Sequence, residues 1–76
     1  MKNRPRYSYL EMDRLIAEYI VGKKAKRDRE ILRSYFLDGY TYEEIAEQQD
    51  MSANQIGRII RSRGDPLLLM INTDGW

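Results

Sequence analysis

Apolar residues in the N-terminal segment recur mostly three to five positions apart, as on one face of a helix. This spacing predicts an amphipathic helix from about Tyr9 to Val21. Ser8 and Glu11 have the spacing of a capping box at its start, and Gly22 suits the left-handed residue just past its end. The apolar face predicted to reach the core consists of Leu10, Leu15, Ile16, Tyr19 and Ile20.

A second apolar stripe follows a basic connector at residues 23–27. Its spacing of i, i+1, i+4 and i+5 predicts a helix from about Arg27 to Leu37, which Asp38 and Gly39 end. The stripe comprises Ile31, Leu32, Tyr35 and Phe36. At such positions Tyr35, like Tyr19 of the first helix, is expected to be a core residue.

Two capping-box patterns predict the starts of two further short helices. Thr41 with Glu44 begins the third helix, and Ser52 with Gln55 begins the fourth. The predicted inner face of the third helix is Ile45 with Ala46, with Tyr42 as a further candidate. Apolar residues on the fourth are Ile56, Ile59 and Ile60.

The tail permits two interpretations. The sequence Gly64-Asp65-Pro66 predicts the end of the fourth helix. Residues 67–71 then form either a fifth short helix, with Asp65 as cap and Pro66 in its first turn, or an extended tail.

No stretch alternates with a period of two, so the predicted class is all-α, a bundle of four to five helices. We expect one domain, with a basic arm at 1–7, a first helix at 8–22, a core at 27–64 and an apolar tail at 67–76.

The third and fourth helices have the pattern of a helix-turn-helix. The connection at residues 48–51 needs a corner residue that tolerates positive φ, and Asp50 can adopt it. Met51 can plug the turn with an apolar side chain, and Ala46 is small where the helices cross. The positions predicted to be buried are Ile45, Met51, Ile56 and Ile59.

Composition excludes several kinds of site. The 76 residues include no cysteine and no histidine, which removes thiolate nucleophiles, cysteine-based zinc sites and the usual general base. We therefore expect no enzyme, no cofactor and no metal. The longest apolar run is residues 67–71, and no secretory signal pattern is present, so the expectation is a cytoplasmic protein without a membrane span.

The net charge of +1 conceals a partition between the two short helices. Residues 41–50 carry four acidic side chains and no basic one, whereas residues 51–64 carry three arginines and no acidic one. Such charges often form only a solvated face. Beside Asn54 and Gln55, however, they favour a nucleic-acid surface, because Asn and Gln can read adenine and Arg can read guanine.

The stretches Arg27–Leu32 and Tyr35–Glu47, followed by Met51-Ser52 and Ile56, resemble region 4 of bacterial sigma factors. They are also similar to the helix-turn-helix of response regulators and of small phage or mobile-element regulators. The resemblance covers about Lys26 to Arg63 and implies that the last helix enters the DNA major groove.

Carried over by position, the resemblance implies groove-facing residues Ala53, Asn54, Gly57 and Arg58. It places Ser52 and Thr41 near phosphates as caps, with Arg27 or Arg29 as a further backbone contact. The candidate DNA contacts are thus Ser52, Ala53, Asn54, Gln55, Gly57, Arg58, Arg61, Thr41, Lys24 and Arg27.

Two residues depart from the family pattern. Gln49 stands where an apolar residue is usual, so the turn either packs loosely or leaves Gln49 half exposed. Gly57 either permits close approach to DNA or is small because packing there is tight. With Ala53 and Gly57 offering no polar side-chain atoms, Asn54, Gln55 and Arg58 would supply base specificity.

These features favour a sequence-specific DNA-binding transcriptional regulator with double-stranded DNA as its partner. The alternative is a helix-turn-helix module that binds or inhibits a protein such as RNA polymerase or another regulator. The acidic residues Glu43, Glu44 and Glu47 would suit that role. The basic residues Lys2 to Tyr7 form either a minor-groove arm or a solvated terminus.

The apolar tail also bears on the oligomeric state. One helical face cannot bury all of residues 67–71, which predicts a homodimer through Leu67–Ile71 and Trp76. In the monomeric alternative, Leu67, Met70 and Ile71 fold back onto Leu15 and Ile16.

Overall fold

The computed structural model describes the backbone of residues 9–75 and the side chains of residues 9–71. Its elements are, in chain order, α1 (Tyr9–Tyr19), α2 (Ala25–Phe36), α3 (Tyr42–Gln49), α4 (Ala53–Ile59), a π-helical segment (Ile60–Gly64) and α5 (Asp65–Gly75). No strand occurs in residues 9–75, and the predicted all-α class is confirmed. The basic arm at 1–7, the Ser8 cap and Trp76 lie outside the described residues.

The buried face of α1 differs from the predicted one. Leu10 is 79% exposed and Tyr19 is 53% exposed, so placing both in the core was wrong. Their place is taken by Met12, which is fully buried with Leu15 and Ile16. Met12 forms a stripe with these residues at spacings of three and four, which follows one helix face more closely than the predicted set does.

The end of α1 and the start of α2 also differ from the expected bounds. The first helix ends at Tyr19, two residues earlier than predicted, and Gly22 has the expected positive φ of 111°. The second begins at Ala25, with Lys24 as an N-cap that makes no side-chain hydrogen bond. Its buried residues include the predicted Ile31, Leu32 and Phe36, while Tyr35 is half-buried.

The predicted capping boxes of α3 and α4 are confirmed. At α3, the Glu44 amide donates to Thr41 Oγ1 over 3.1 Å, and the Thr41 amide donates to Glu44 Oε1 over 2.8 Å. Ser52 and Gln55 repeat this exchange at α4, with both distances 3.1 Å. These bonds satisfy amides that have no partner within the first helical turn.

The turn between α3 and α4 has the predicted left-handed corner. Asp50 has φ 57° and ψ 47°, and the Met51 amide donates to the Ala46 carbonyl over 2.9 Å. Met51 is half-buried against the core, and Ala46 is buried where the helices meet. Gln49 is half-buried, and its Nε2 donates to Glu30 Oε1 over 3.2 Å, which accommodates a polar residue at this position.

The sequence Gly64-Asp65-Pro66 does not end a helix, and that prediction was wrong. Residues 53–75 are helical without interruption, and Asp65 has helical torsions (φ −57°, ψ −43°) in place of those of an N-cap. Proline lacks an amide hydrogen and its ring crowds the carbonyl four residues earlier. The wider π-helical segment just before Pro66 opens the backbone there, so the helix continues through the proline.

Gly64 serves close packing. A Cβ atom on Gly64 would lie 2.8 Å from Phe36 Cε2 and 3.0 Å from Phe36 Cζ. The π-helical segment therefore approaches α2 more closely than a larger residue would allow.

Helix α5 folds back onto the core, so the extended tail is excluded for its described part. Leu67 and Ile71 are buried in the same cluster as Leu15 and Ile16, as the monomeric interpretation required. Met70 departs from that interpretation because it is 37% exposed, next to Leu69 at 65%.

Three polar contacts tie α1 and the loop after it to the rest of the bundle. Arg33 Nε donates to Asp13 Oδ1 over 2.6 Å, and Arg29 Nε donates to the Ile20 carbonyl over 2.9 Å. Arg63 Nη2 donates to the Val21 carbonyl over 2.8 Å. These contacts lock the end of α1 against both α2 and the π-helical segment.

We predict that Gly64→Ala destabilises the protein. Overpacking against Phe36 costs about 1–3 kcal/mol, whereas alanine gains about 1 kcal/mol over glycine in helix propensity. Urea unfolding should therefore show a lower free energy of unfolding. In a Phe36→Leu background the same substitution should cost less, because the ring is gone. An equal cost in both backgrounds, or a more stable G64A variant, would contradict this packing account.

We predict that Asp50→Gly is neutral or slightly stabilising. Glycine removes the steric cost of the left-handed corner, which offsets its larger loss of chain entropy on folding. Gln48→Gly, in the neighbouring helical turn, is the matched control and should cost about 1 kcal/mol. Thermal unfolding of the two variants compares them directly, and an equal loss for D50G would show that the corner does not favour glycine.

Candidate nucleic-acid interface

The exposed side of α4 and of the π-helical segment forms one polar stripe. Asn54, Arg58 and Arg61 are exposed and follow each other at i, i+4 and i+7, which places them on the same side of the helical rod. The opposite side carries Ile56 and Ile60, both buried. This amphipathic arrangement fixes which side of α4 faces outward. We call Asn54, Arg58 and Arg61 the recognition stripe.

Gln55 is exposed, but its side-chain oxygen is already used. Oε1 accepts from the Ser52 amide over 3.1 Å and lies 3.3 Å from Ser52 Oγ. Bidentate reading of adenine needs both the oxygen and the nitrogen of an amide side chain. In this conformation Gln55 can therefore offer only its NH₂ group.

Ala53 and Gly57 lie nearer the interior than the recognition stripe. Ala53 is half-buried and packs against the core, and Gly57 is buried. A Cβ atom on Gly57 would lie 3.0 Å from Tyr42 Cε2, so the helix crossing is tight at this point. Of the two sequence interpretations of Gly57, the geometry favours tight packing.

Tyr42 of α3 packs against α2 and lies against α4, which we call the recognition helix. Its ring lies 5.3 Å from that of Tyr35, which in turn makes an edge-on contact with Phe36 at 5.0 Å. Burial raises the pKa of the Tyr42 hydroxyl, and Tyr35 raises it further, whereas the Arg61 guanidinium acts to lower it. Arg61 thus lies close to Tyr42 while remaining exposed to solvent.

The remaining candidate contacts lie at the starts of α2, α3 and α4. Ser52 and Thr41 are exposed at the N-termini of α4 and α3, and Lys24 is exposed at the start of α2. Arg27 is half-buried, and its Nε donates to Asp28 Oδ1 over 3.0 Å. Arg27 therefore already has an anionic partner, whereas Lys24 is exposed to solvent in the connector.

The third arginine of the basic segment has an internal role. Arg63 Nε lies 3.4 Å from Asp28 Oδ2, and its Nη2 binds the Val21 carbonyl. The 3.4 Å contact is an ion pair without hydrogen-bond geometry, since the buried Nε has no hydrogen-bond partner in residues 9–71. Only Arg58 and Arg61 of the three arginines therefore add charge to the exposed stripe.

Helix α3 carries three acidic side chains. Glu43 and Glu47 are exposed, whereas the Glu44 carboxylate is engaged in the capping box. Within the described part of the chain, no three acidic residues come together as a metal site would require. Nor does any helix there have the length and apolar character to cross a membrane.

Sequence reasoning missed two residues of this region. Tyr42 was only a candidate core residue, yet it lies against Gly57 and beside Arg61. Asp28 was not singled out, although it is the partner of both Arg27 and Arg63. The contact of Tyr42 with α4 is tertiary, so the sequence held no signal for it beyond an apolar ring on the inner face of α3. Asp28 directly follows the basic connector, a position that gave little sign of burial.

The comparison with known families agrees with this geometry. Residues 25–61 match the family model described as sigma-70, region 4, which covers 37 of the 76 residues. No curated protein and no solved structure matches the chain. The match begins where α2 begins and ends on Arg61 of the recognition stripe. Residues 25–61 thus form a helix-turn-helix that is similar to region 4 of sigma-70.

Proposed function

We propose that this protein is a sequence-specific DNA-binding transcriptional regulator that acts by occupying an operator. The observation that carries the proposal is the recognition stripe, exposed on the second helix of a helix-turn-helix that matches a DNA-binding family. In such motifs that helix lies in the major groove and its N-terminal residues contact base edges. The proposal includes a cytoplasmic location and a role without catalysis.

Asn54 and Arg58 are the residues proposed to read bases. An Asn side chain pairs bidentately with adenine, and an Arg side chain pairs bidentately with guanine. They stand one turn apart, so they would contact neighbouring base pairs. Gln55 has a smaller role than the sequence suggested, because its oxygen is held by Ser52.

Phosphate contacts would set the orientation of the recognition helix. At the N-termini of α3 and α4 the helix dipole favours a phosphate, and the amides of the first two helical residues, which the capping boxes do not use, can donate to it. Lys24 adds a positive charge at the start of α2. Contacts of this kind carry no sequence information but fix the register on the duplex.

A protein partner is the second candidate function. The exposed Glu43 and Glu47 form an acidic surface on α3 that would suit a basic partner surface, such as one on RNA polymerase or another regulator. The salt dependence of DNA binding separates the two functions. Release of counterions from several phosphates gives a steep slope, whereas a module that binds only protein has no useful DNA affinity at physiological salt.

We predict that Arg58→Ala weakens binding to the preferred duplex by about 1–3 kcal/mol and relaxes preference at one base step. The duplex is first obtained by selection from genomic fragments and footprinting, and affinities are then measured by fluorescence anisotropy. Lys24→Ala is the matched control, since it also removes one positive charge but should weaken all sequences alike. If neither variant changes DNA affinity while a protein partner is lost, the proposed function is wrong.

We also propose that the protein forms a homodimer through the exposed side of α5. Leu67 and Ile71 belong to the monomer's own core, so the exposed apolar side chains of α5 are Leu69 and Met70, and Tyr19 of α1 lies near Met70. An open groove of about 290 Å³ runs between α1 and α5 and is lined in part by Tyr19, Pro66 and Met70. Exposed apolar surface of this kind is typical of interfaces, and a second copy would allow two half-sites to be read.

We predict that wild-type protein sediments as a dimer at tens of micromolar and that Leu69→Glu makes it monomeric. A buried glutamate at the interface would lose its hydration without gaining a partner. Truncation after Asp65 is unsuitable, because it would remove Leu67 and Ile71 from the core. Gln48→Glu on the exposed side of α3 is the control and should leave the dimer intact. A monomeric wild-type chain at these concentrations would contradict the dimer.

A further inference from the structure

We propose that Tyr42 is a positioning residue that holds the Arg61 guanidinium for a contact with a DNA phosphate, at a point where Gly57 allows both side chains to approach the helix closely. This inference rests on the proposed function. It adds a residue outside the recognition helix to the DNA-binding surface, and it gives Gly57 a specific purpose.

The side chains of Tyr42 and Arg61 meet at Gly57. A Cβ atom on Gly57 would lie 3.0 Å from Tyr42 Cε2 and 3.3 Å from Arg61 Nη1. Because a helical side chain leans toward the N-terminus, Arg61 covers the turn that begins at Gly57. The guanidinium and the tyrosine ring are therefore neighbours over a backbone that carries no side chain.

Tyr42 is itself firmly held. It is half-buried at the first position of α3, and its ring packs on Tyr35 of α2. Its hydroxyl also interacts with Arg61, which favours the ionised form of the phenol. A ring fixed in this way restricts the guanidinium, so less side-chain freedom remains to be lost when DNA binds.

The position of Arg61 favours a phosphate over a base. It lies seven residues after Asn54, about 10 Å further along the helix axis, whereas base contacts come from the N-terminal part of a recognition helix. The planar guanidinium can bind two phosphate oxygens at once. Tyr42 fixes the orientation of the Arg61 guanidinium, and Arg61 supplies the positive charge that binds the phosphate.

The test is a double-mutant cycle on the full chain with Tyr42→Phe and Arg61→Gln, measured against the selected duplex over a range of salt concentrations. Arg61→Gln should lower affinity and reduce the slope of log K against log salt by about one unit. Tyr42→Phe should lower affinity about three- to tenfold, with the slope nearly unchanged. In the Arg61→Gln background, Tyr42→Phe should have no further effect. Tyr40→Phe, at an exposed tyrosine two residues away, is the control and should not change affinity.

A second variant separates positioning from folding. Gly57→Ala places a methyl group against Tyr42 and Arg61, so one of these side chains must shift. Because alanine favours a helix more than glycine does, α4 itself should not be weakened. We expect it to lose affinity to a similar extent as Tyr42→Phe while remaining folded by circular dichroism. In the free protein, Arg61→Gln should raise the pKa of Tyr42 in an ultraviolet titration, because it removes the group that lowers it.

The outcomes distinguish this inference from the function on which it rests. If the wild-type chain binds no duplex, the proposed function fails and the inference fails with it. If the wild-type chain binds but the effects of Tyr42→Phe and Arg61→Gln simply multiply, only the positioning role is overturned. An unchanged Tyr42 titration in the Arg61→Gln variant would likewise show that the two side chains do not interact.

Discussion

The buried carboxylate of Asp28 determines how the recognition helix is held against the rest of the bundle. Asp28 is 4% exposed, accepts a hydrogen bond from Arg27 and forms an ion pair with Arg63 at 3.4 Å. A buried charge must be paired, and removing one partner of such a pair typically costs about 3–5 kcal/mol. Because Arg63 also binds the Val21 carbonyl, one side chain fastens the π-helical segment to both the first turn of α2 and the loop before it.

The contacts of Arg63 affect both ends of the continuous helix at residues 53–75. Residues 53–75 form one continuous rod, with the recognition stripe near its start and Leu67 and Ile71 packed on α1 near its end. The π-helical segment lies between them and accommodates Pro66, while Gly64 permits close contact with Phe36. The surface proposed to read DNA and the surface proposed to dimerise are therefore parts of one rigid element. In a dimer, the spacing of the two half-sites would follow from the packing of α5.

Features that depend on short sequence separations could be predicted, and those set by tertiary contacts could not. The two capping boxes and the left-handed Asp50 are local, because each needs only residues within one turn. Gly64-Asp65-Pro66 has the composition of a helix end, and only its packing on Phe36 shows why the glycine is there. Likewise the sequence pattern placed Tyr19 in the core, where the structure has Met12. A helix pattern alone does not show how wide the buried face of the helix is. For the candidate site, the residue types were evident, but the commitments of Gln55 and Arg63 to partners within the chain were not.

The central claim is that the exposed side of α4 is the surface that meets DNA. Nuclear magnetic resonance on the uniformly ¹⁵N-labelled full chain, titrated with the selected duplex and with a scrambled one of equal length, tests it most directly. We predict that the largest amide shifts unique to the selected duplex lie between Ser52 and Arg61, with smaller shifts near Lys24 for both duplexes. Shifts confined to the acidic side of α3 or to the groove between α1 and α5, with α4 unaffected, would contradict it.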